Sequence, residues 1–102
     1  MKVNIILKAL SHPIRRDIVS MLREKPMTAG ELADHFNVSK PTMSGHFASL
    51  KEADLITAER DGVSIAYHLN VTVAEEALTV MMDLLQVGQA KPVRPSVKGK
   101  AT

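Results

Sequence analysis

Residues 27–51 read MTAGELADHFNVSKPTMSGHFASLK and contain two short helical patterns separated by a tight turn. The first pattern opens at Thr28, whose hydroxyl and the carboxylate of Glu31 can each accept a hydrogen bond from a free backbone N–H at the helix start. Asn37 follows where the chain must leave this helix, and Asn accepts a left-handed backbone at modest cost. We therefore predict a helix that starts at a capping box and ends near Asn37.

The second pattern runs over residues 40 to 53 and has a single apolar stripe. Ser39 is the predicted N-cap, and Met43, Phe47 and Leu50 recur at spacings of four and three. Two short helices joined by a tight turn form a helix-turn-helix.

The opposite face of the second helix carries small, hydroxylated or cationic groups and no carboxylate before Glu52. A helix that enters the major groove of DNA meets phosphates on both flanks, where a carboxylate would be repelled. The alternative is that the hydroxyl groups only line a solvated face. The predicted DNA-binding residues here are Ser39, Lys40, Thr42, Ser44, Gly45, His46 and Ser49.

A β-hairpin is predicted over residues 55–69, where Asp61-Gly62 separates two apolar runs. A two-residue turn at Asp61-Gly62 places Ile56 opposite Tyr67, and Arg60 near the tip, where it can reach the adjacent groove of DNA. The hairpin could also be structural only. The side predicted to pack inward consists of Ile56, Ala58, Ile65, Tyr67 and Leu69.

Three segments resemble the ArsR/SmtB family of prokaryotic repressors, and within it the SdpR-like autorepressor branch. They are ALSHPIRR at residues 9–16, VSKPTMSGHF at 38–47 and the wing at 61–69, within a likeness that covers about residues 3 to 88. The resemblance implies a mainly α winged helix-turn-helix with about five helices and a two-stranded wing. It also implies a homodimer that binds a pseudo-palindromic operator and represses transcription, including that of its own promoter.

Two positions depart from the family pattern. His12 stands where the family commonly has Asp, which leaves Ser11 as the predicted cap of the helix that follows. Gly45 stands where many members have a larger polar or basic side chain, and this weakens the prediction of direct base reading at that point.

The terminal helices carry more apolar residues than a single buried stripe requires. The last helix is predicted to start at a capping box formed by Thr72 and Glu75. Both helices could simply close the core of the monomer, but a thin core in a short chain favours a dimer. The predicted interface consists of Val3, Ile6, Leu7, Leu78, Met81, Met82 and Leu85.

The residues predict no metal site, no cofactor and no catalysis. The chain has no Cys, and its last helix offers Glu75, Glu76 and Asp83 but no His. Ser44 and His46 are two positions apart on a helix and therefore point in different directions. The remaining histidines are expected to be solvated or to cap helices: His12, His35 and His68.

Net charge is a weak guide to partners in this chain. The formal charge is +2, but four of the thirteen Lys and Arg residues lie within residues 91–100, so residues 1–90 carry nine cations and eleven acids. We predict a DNA-binding and dimerisation domain over residues 1–88 and a basic, disordered tail over 89–102. The tail could touch phosphates or only promote solubility.

The sequence also indicates where the protein acts. No apolar run is long enough to span a bilayer and no signal peptide is apparent, so a cytoplasmic protein is expected.

Double-stranded DNA and a second copy of the chain are the predicted partners, and an unidentified regulatory protein or ligand is left open. A winged helix that acts mainly as a protein-interaction module is the alternative function, although the exposed face of the second helix lacks apolar anchors.

Overall fold

Five helices and three short strands follow one another in the computed structural model, which describes residues 2–86. The predicted winged helix-turn-helix is confirmed. The predicted tail, residues 89–102, lies outside the described residues. The elements are α1 (Val3–Ala9), α2 (Pro13–Glu24), β1 (Met27–Thr28), α3 (Ala29–Ala33), α4 (Lys40–Glu52), β2 (Ile56–Asp61), β3 (Ser64–Leu69) and α5 (Val71–Leu85).

Both predicted caps of the helix-turn-helix are confirmed. Thr28 Oγ1 accepts a hydrogen bond from the backbone N–H of Glu31 at 3.1 Å, and the Glu31 carboxylate accepts one from the backbone N–H of Thr28 at 2.8 Å. This second bond lowers the pKa of Glu31 from its ordinary value. Ser39 caps α4, where its Oγ accepts from the backbone N–H of Thr42 at 3.3 Å.

The predicted cap of α2 is wrong by one residue. Its N-cap is His12 rather than Ser11, and the Nδ1 atom of His12 accepts a hydrogen bond from the backbone N–H of Ile14 at 3.1 Å. The reason is Pro13, which occupies the first helical position and favours an extended residue before it. Ser11 instead donates its hydroxyl to the carbonyl of Lys8 at 2.6 Å.

The start of α5 also differs from the prediction. Asn70, not Thr72, is the N-cap, and its Oδ1 accepts from the backbone N–H of Val73 at 3.3 Å. The backbone N–H of Asn70 donates to the carbonyl of Leu55 at 2.9 Å. Because Asn70 follows the last residue of β3 directly, the strand passes into the helix without a loop, and the capping residue precedes the predicted one.

The turn between α3 and α4 does not use a left-handed Asn37. Among the described residues other than glycine, positive φ angles occur at Asp54 and Gln86, so this prediction is wrong. Asp34 instead ends α3 in the right-handed region, and the N–H groups of His35 and Phe36 donate to carbonyls of α3 in short turns. The chain therefore leaves α3 by a tightening of its last turn.

The wing is a three-stranded antiparallel sheet in the order β1-β3-β2. The short strand β1 pairs Met27 with Tyr67 and was not predicted from the sequence. It ties the start of the helix-turn-helix to the hairpin.

The hairpin register differs from the prediction by two residues. Ile56 lies opposite Leu69, and the turn is formed by Gly62 and Val63 because Asp61 pairs with Ser64. Gly62 has a φ of 66° and stands at the first central position, which takes Gly in a type II′ turn. A shift of two leaves every side chain on its predicted face of the sheet.

The core draws residues from all five helices and from the base of the wing. In the sheet, Ile56 and Tyr67 are buried, whereas Ala58 and Ile65, nearer the tip, are exposed. The rings of Phe47 and Tyr67 lie 4.6 Å apart and join α4 to β3. The core residues are Ile6, Ala9, Ile18, Leu22, Leu32, Met43, Phe47, Leu50, Ala53, Leu55, Ile56, Tyr67 and Ala77.

Candidate nucleic-acid interface

The exposed face of α4 begins at its N-terminal turn. Ser39, Lys40 and Thr42 are all exposed, and the Ser39 hydroxyl donates to Thr42 Oγ1 at 2.9 Å. The Thr42 hydroxyl can still donate its own hydrogen outward. This turn therefore presents one ammonium group and two hydroxyl groups, and the two hydroxyl groups are hydrogen-bonded to each other.

The electrostatics of this end of α4 favour an anion. The first turn of the helix has no acidic residue, and the free N–H groups of a helix start carry partial positive charge. Lys40 adds a full charge at the first helical position. Glu52, the first carboxylate of the helix, lies at its opposite end.

Further along α4, the same face carries only small side chains. Ser44 and Gly45 are exposed, and Ser49 is half-buried. A Cβ atom added at Gly45 would meet no other atom within 4 Å, so this part of the helix surface is bare. A bare stretch lets a flat ligand such as a base-pair edge approach the backbone closely.

His46 does not lie on this face, and its prediction as a DNA-binding residue is corrected. Only 6% of its surface is exposed, and it belongs to the buried stripe of α4 with Met43, Phe47 and Leu50. The spacing explains this, because position 46 follows 43 by three residues and precedes 50 by four. The prediction of an exposed His46 rests only on the polarity of its imidazole ring.

Sequence reasoning also missed the partner of His46. The Nε atom of Arg15, on α2, donates to His46 Nδ1 at 3.2 Å. The ring of His12 lies 4.5 Å from the His46 ring, centroid to centroid. Burial, followed by the charges of His12 and Arg15, lowers the pKa of His46 from its ordinary value.

The wing supplies the second part of the interface. Arg60 is exposed on β2 and lies opposite Ile65 on β3, close to the turn. Val63, in the turn itself, is fully exposed. Arg60 is therefore an exposed cation near the tip of the wing.

The other histidines occupy capping or surface positions. His12 caps α2, and His35, which is exposed, has its Nδ1 atom 2.9 Å from the carbonyl of Glu31. His68 Nε2 lies 3.1 Å from the carboxylate of Glu59. Within residues 2–86 no three His, Cys, Asp or Glu side chains are grouped so that they could hold a metal ion.

The helices in the described part of the chain are too short or too polar to cross a membrane.

Comparison with known proteins connects this geometry to a class of protein. Residues 10–59 match a sequence family described as a helix-turn-helix domain. The chain is 42% identical over 86 residues to the transcriptional repressor SdpR of Bacillus subtilis, across 84% of this chain and 96% of that protein. It is 38% identical over 69 residues to the arsenical resistance operon repressor of Staphylococcus xylosus, across 68% of this chain and 66% of that protein.

A solved structure shows the same fold. The crystal structure of an ArsR family transcriptional regulator superposes with a TM-score of 0.70 at 26% sequence identity. The match covers 84% of this chain and 92% of the other.

Proposed function

Because the chain belongs to the ArsR/SmtB family of winged-helix transcriptional repressors, we propose that it binds a pseudo-palindromic operator as a homodimer and represses its own promoter among others. The protein is a DNA-binding repressor of transcription. The observation that carries the proposal is the carboxylate-free face of α4, exposed from Ser39 to Gly45.

In the proposed complex each protomer lays α4 into the major groove. Ser39 and Lys40 lie near phosphates, while Thr42 and Ser44 lie nearest the base edges, with Gly45 and Ser49 beside them. Arg60 contacts the flanking minor groove or its backbone. Two-fold symmetry then requires half-sites centred about 34–36 Å apart, one turn of the duplex. Occupation of the promoter would block transcription, and we place this activity in the cytoplasm, where bacterial DNA lies.

The exposed apolar residues of the terminal helices support the homodimer. Leu7 on α1 and Leu78, Met82 and Leu85 on α5 are all exposed in the single chain. Val3 and Met81, both half-buried, lie at a narrow cleft between the two helices, and complete the proposed interface. Ile6 lines the same cleft but is buried in the monomer core, so we assign it to the core instead.

The direct test of the proposed function is a footprinting experiment. Duplexes that bind the protein are selected from a random pool and footprinted. The fragment upstream of the gene that encodes the protein is footprinted in parallel. Protection of two half-sites on one face of the duplex is expected. Protection of a single site, or no preference among duplexes, would contradict the dimeric repressor.

Replacing Lys40 by Ala should weaken binding and reduce its dependence on salt. The slope of log affinity against log salt changes by about 0.9 for each phosphate contact, so a dimer that loses two contacts should lose about 1.8. The measurement is fluorescence anisotropy with the selected duplex at several salt concentrations. Lys25→Ala is the matched control, because Lys25 follows the C-terminal end of α2 and is exposed in a groove whose lining includes no residue of α4. Equal slopes of log affinity against log salt for the two variants would show that Lys40 makes no phosphate contact.

A further inference from the structure

Arg15 lies on α2 and connects this helix to α1 and α4. Its Nε atom donates to Nδ1 of His46 on α4 at 3.2 Å, and its Nη1 atom reaches the carbonyl of Lys8, at the end of α1, at 3.5 Å. Arg15 itself belongs to α2 and is half-buried. One guanidinium group therefore connects the helix of the proposed dimer interface to the helix of the DNA-binding face.

The contact fixes the protonation state of His46. An arginine Nε–H can only donate, so Nδ1 of His46 must offer a lone pair. The ring is then neutral, with its hydrogen on Nε2. That Nε2 atom is buried and has no hydrogen-bond partner among the described residues.

The surroundings of His46 oppose a positive charge. From α2 it faces the Arg15 guanidinium and the His12 ring. α1, which also packs on α4, brings the cations Lys2 and Lys8, and Lys2 is bound at the far end of α4, 3.4 Å from the Asp54 carboxylate. On β2, which also packs on α4, Glu59 and Arg60 are both exposed, and Glu59 is paired with His68. The contacts described for His46 include no carboxylate that would compensate a protonated ring.

We propose that Arg15 and His46 form a lock that sets the position of α4 relative to α1 and α2, and that this lock closes only on a neutral His46 ring. Protonation of His46 at Nδ1 places its new N–H group opposite the Nε–H group of Arg15. It also places a positive charge on a ring that is buried in the core. The ring then has to leave its site, and α4 moves with it. Arg15 and His46 are thus positioning residues for DNA binding, although neither needs to touch DNA.

The lock predicts an unusual direction of pH dependence. Exposed histidines gain positive charge in acid, which strengthens binding to phosphates. His46 has the opposite effect. Its pKa is lowered in the folded protein, so unfolded and open forms bind the proton more readily, and the closed form loses stability as pH falls below the ordinary value of 6.5. The closed form keeps its full stability above that value.

The test measures affinity for the duplex selected from the random pool, between pH 7.5 and pH 5.0. We expect the affinity of the unaltered protein to fall by about tenfold, the effect of losing one charge-assisted hydrogen bond. His46→Asn should show no fall. Its amide oxygen stands the same number of bonds from Cα as Nδ1, so it can accept from Arg15 but cannot be protonated. His35→Asn is the matched control and should keep the fall, because His35 is exposed on α3.

Two further measurements keep the proposal testable if His46→Asn folds poorly. Arg15→Gln should remove the fall in affinity, whereas Arg16→Gln should retain it, since Arg16 donates to the carbonyl of Leu10 and not to His46. Amide hydrogen exchange of α4 in the unaltered protein should accelerate over the same pH interval in which the His46 ring titrates by NMR. This readout needs no DNA, so it remains valid if no duplex is selected and the proposed operator binding fails.

Three outcomes would overturn the lock. The first is an affinity that is constant or rises in acid. The second is the same fall in His46→Asn as in the unaltered protein. The third is exchange in α4 that does not change while the His46 ring gains its proton.

Discussion

Leu78→Glu is expected to leave the protein monomeric at micromolar concentration and to weaken operator binding by at least about a hundredfold. A monomer can occupy only one half-site, and it loses the effective concentration that two linked half-sites provide. The carboxylate would also have to be buried without a partner in the proposed interface. This change therefore has the largest predicted effect on function.

The three faces of α5 explain why Leu78 was chosen. Residues 73, 74, 77, 80 and 81 turn toward the body of the chain and are at least half-buried. An apolar stripe beside them is exposed at spacings of seven, four and three, namely Val71, Leu78, Met82 and Leu85. The third face is polar. A helix with an apolar stripe outside its own core is expected to contact another surface.

The matched control is Thr79→Glu, which adds the same charge on the polar face of the same helix. Thr79 is exposed and lies beside Glu75 and Glu76. Analytical ultracentrifugation of both variants at the same protein concentration gives the oligomeric state, and anisotropy gives the affinity. A dimeric Leu78→Glu protein, or an equal loss in both variants, would exclude this stripe as the interface.

The sequence predicted the helix-turn-helix well because its signals are local. The capping box at Thr28 and the cap at Ser39 each involve residues three apart, so both can be recognised from the local sequence. The buried stripe of Met43, Phe47 and Leu50 follows from helical periodicity alone. These features predicted the starts of α3 and α4 and placed the end of α4 within one residue, whereas α3 ends about four residues before the predicted Asn37.

Features that depend on distant partners could not be predicted in the same way. The strand β1 has two residues, too few to show an alternating pattern, and it exists because β3 offers a free edge. The observed hairpin turn lies one residue later than the predicted one, because Gly62 occupies the first central position of the turn rather than the second. Local sequence does not distinguish these two turns, since both use a glycine.

His46 illustrates the limit for the candidate site. Its polar ring suggested the DNA-facing side, but its spacing from Met43 and Leu50 placed it on the buried stripe. Burial is possible because Arg15, thirty-one residues earlier, supplies a hydrogen-bond donor. A partner so far away in sequence cannot be inferred from periodicity, whereas the exposed positions of Lys40, Thr42 and Ser44 could be.

Leu50→Ala is expected to lower the free energy of unfolding by about 3 kcal/mol. Leu50 has no exposed surface and lies on the inner face of α4, so its truncation leaves a cavity in the core. Small domains are stable by only about 5–15 kcal/mol, so this one change removes a large share of the total. Urea denaturation followed by circular dichroism measures the loss.

Val63→Ala serves as the reference, because Val63 is fully exposed in the turn of the wing and its truncation should change stability by less than about 0.5 kcal/mol. Both variants are compared with the unaltered protein at one concentration, since dimerisation would add a concentration-dependent term to stability. A loss below about 1 kcal/mol in Leu50→Ala would mean that α4 does not bury this side chain. In that case the outward direction of Lys40, Thr42 and Ser44 would be wrong as well, because both faces belong to the same rigid helix.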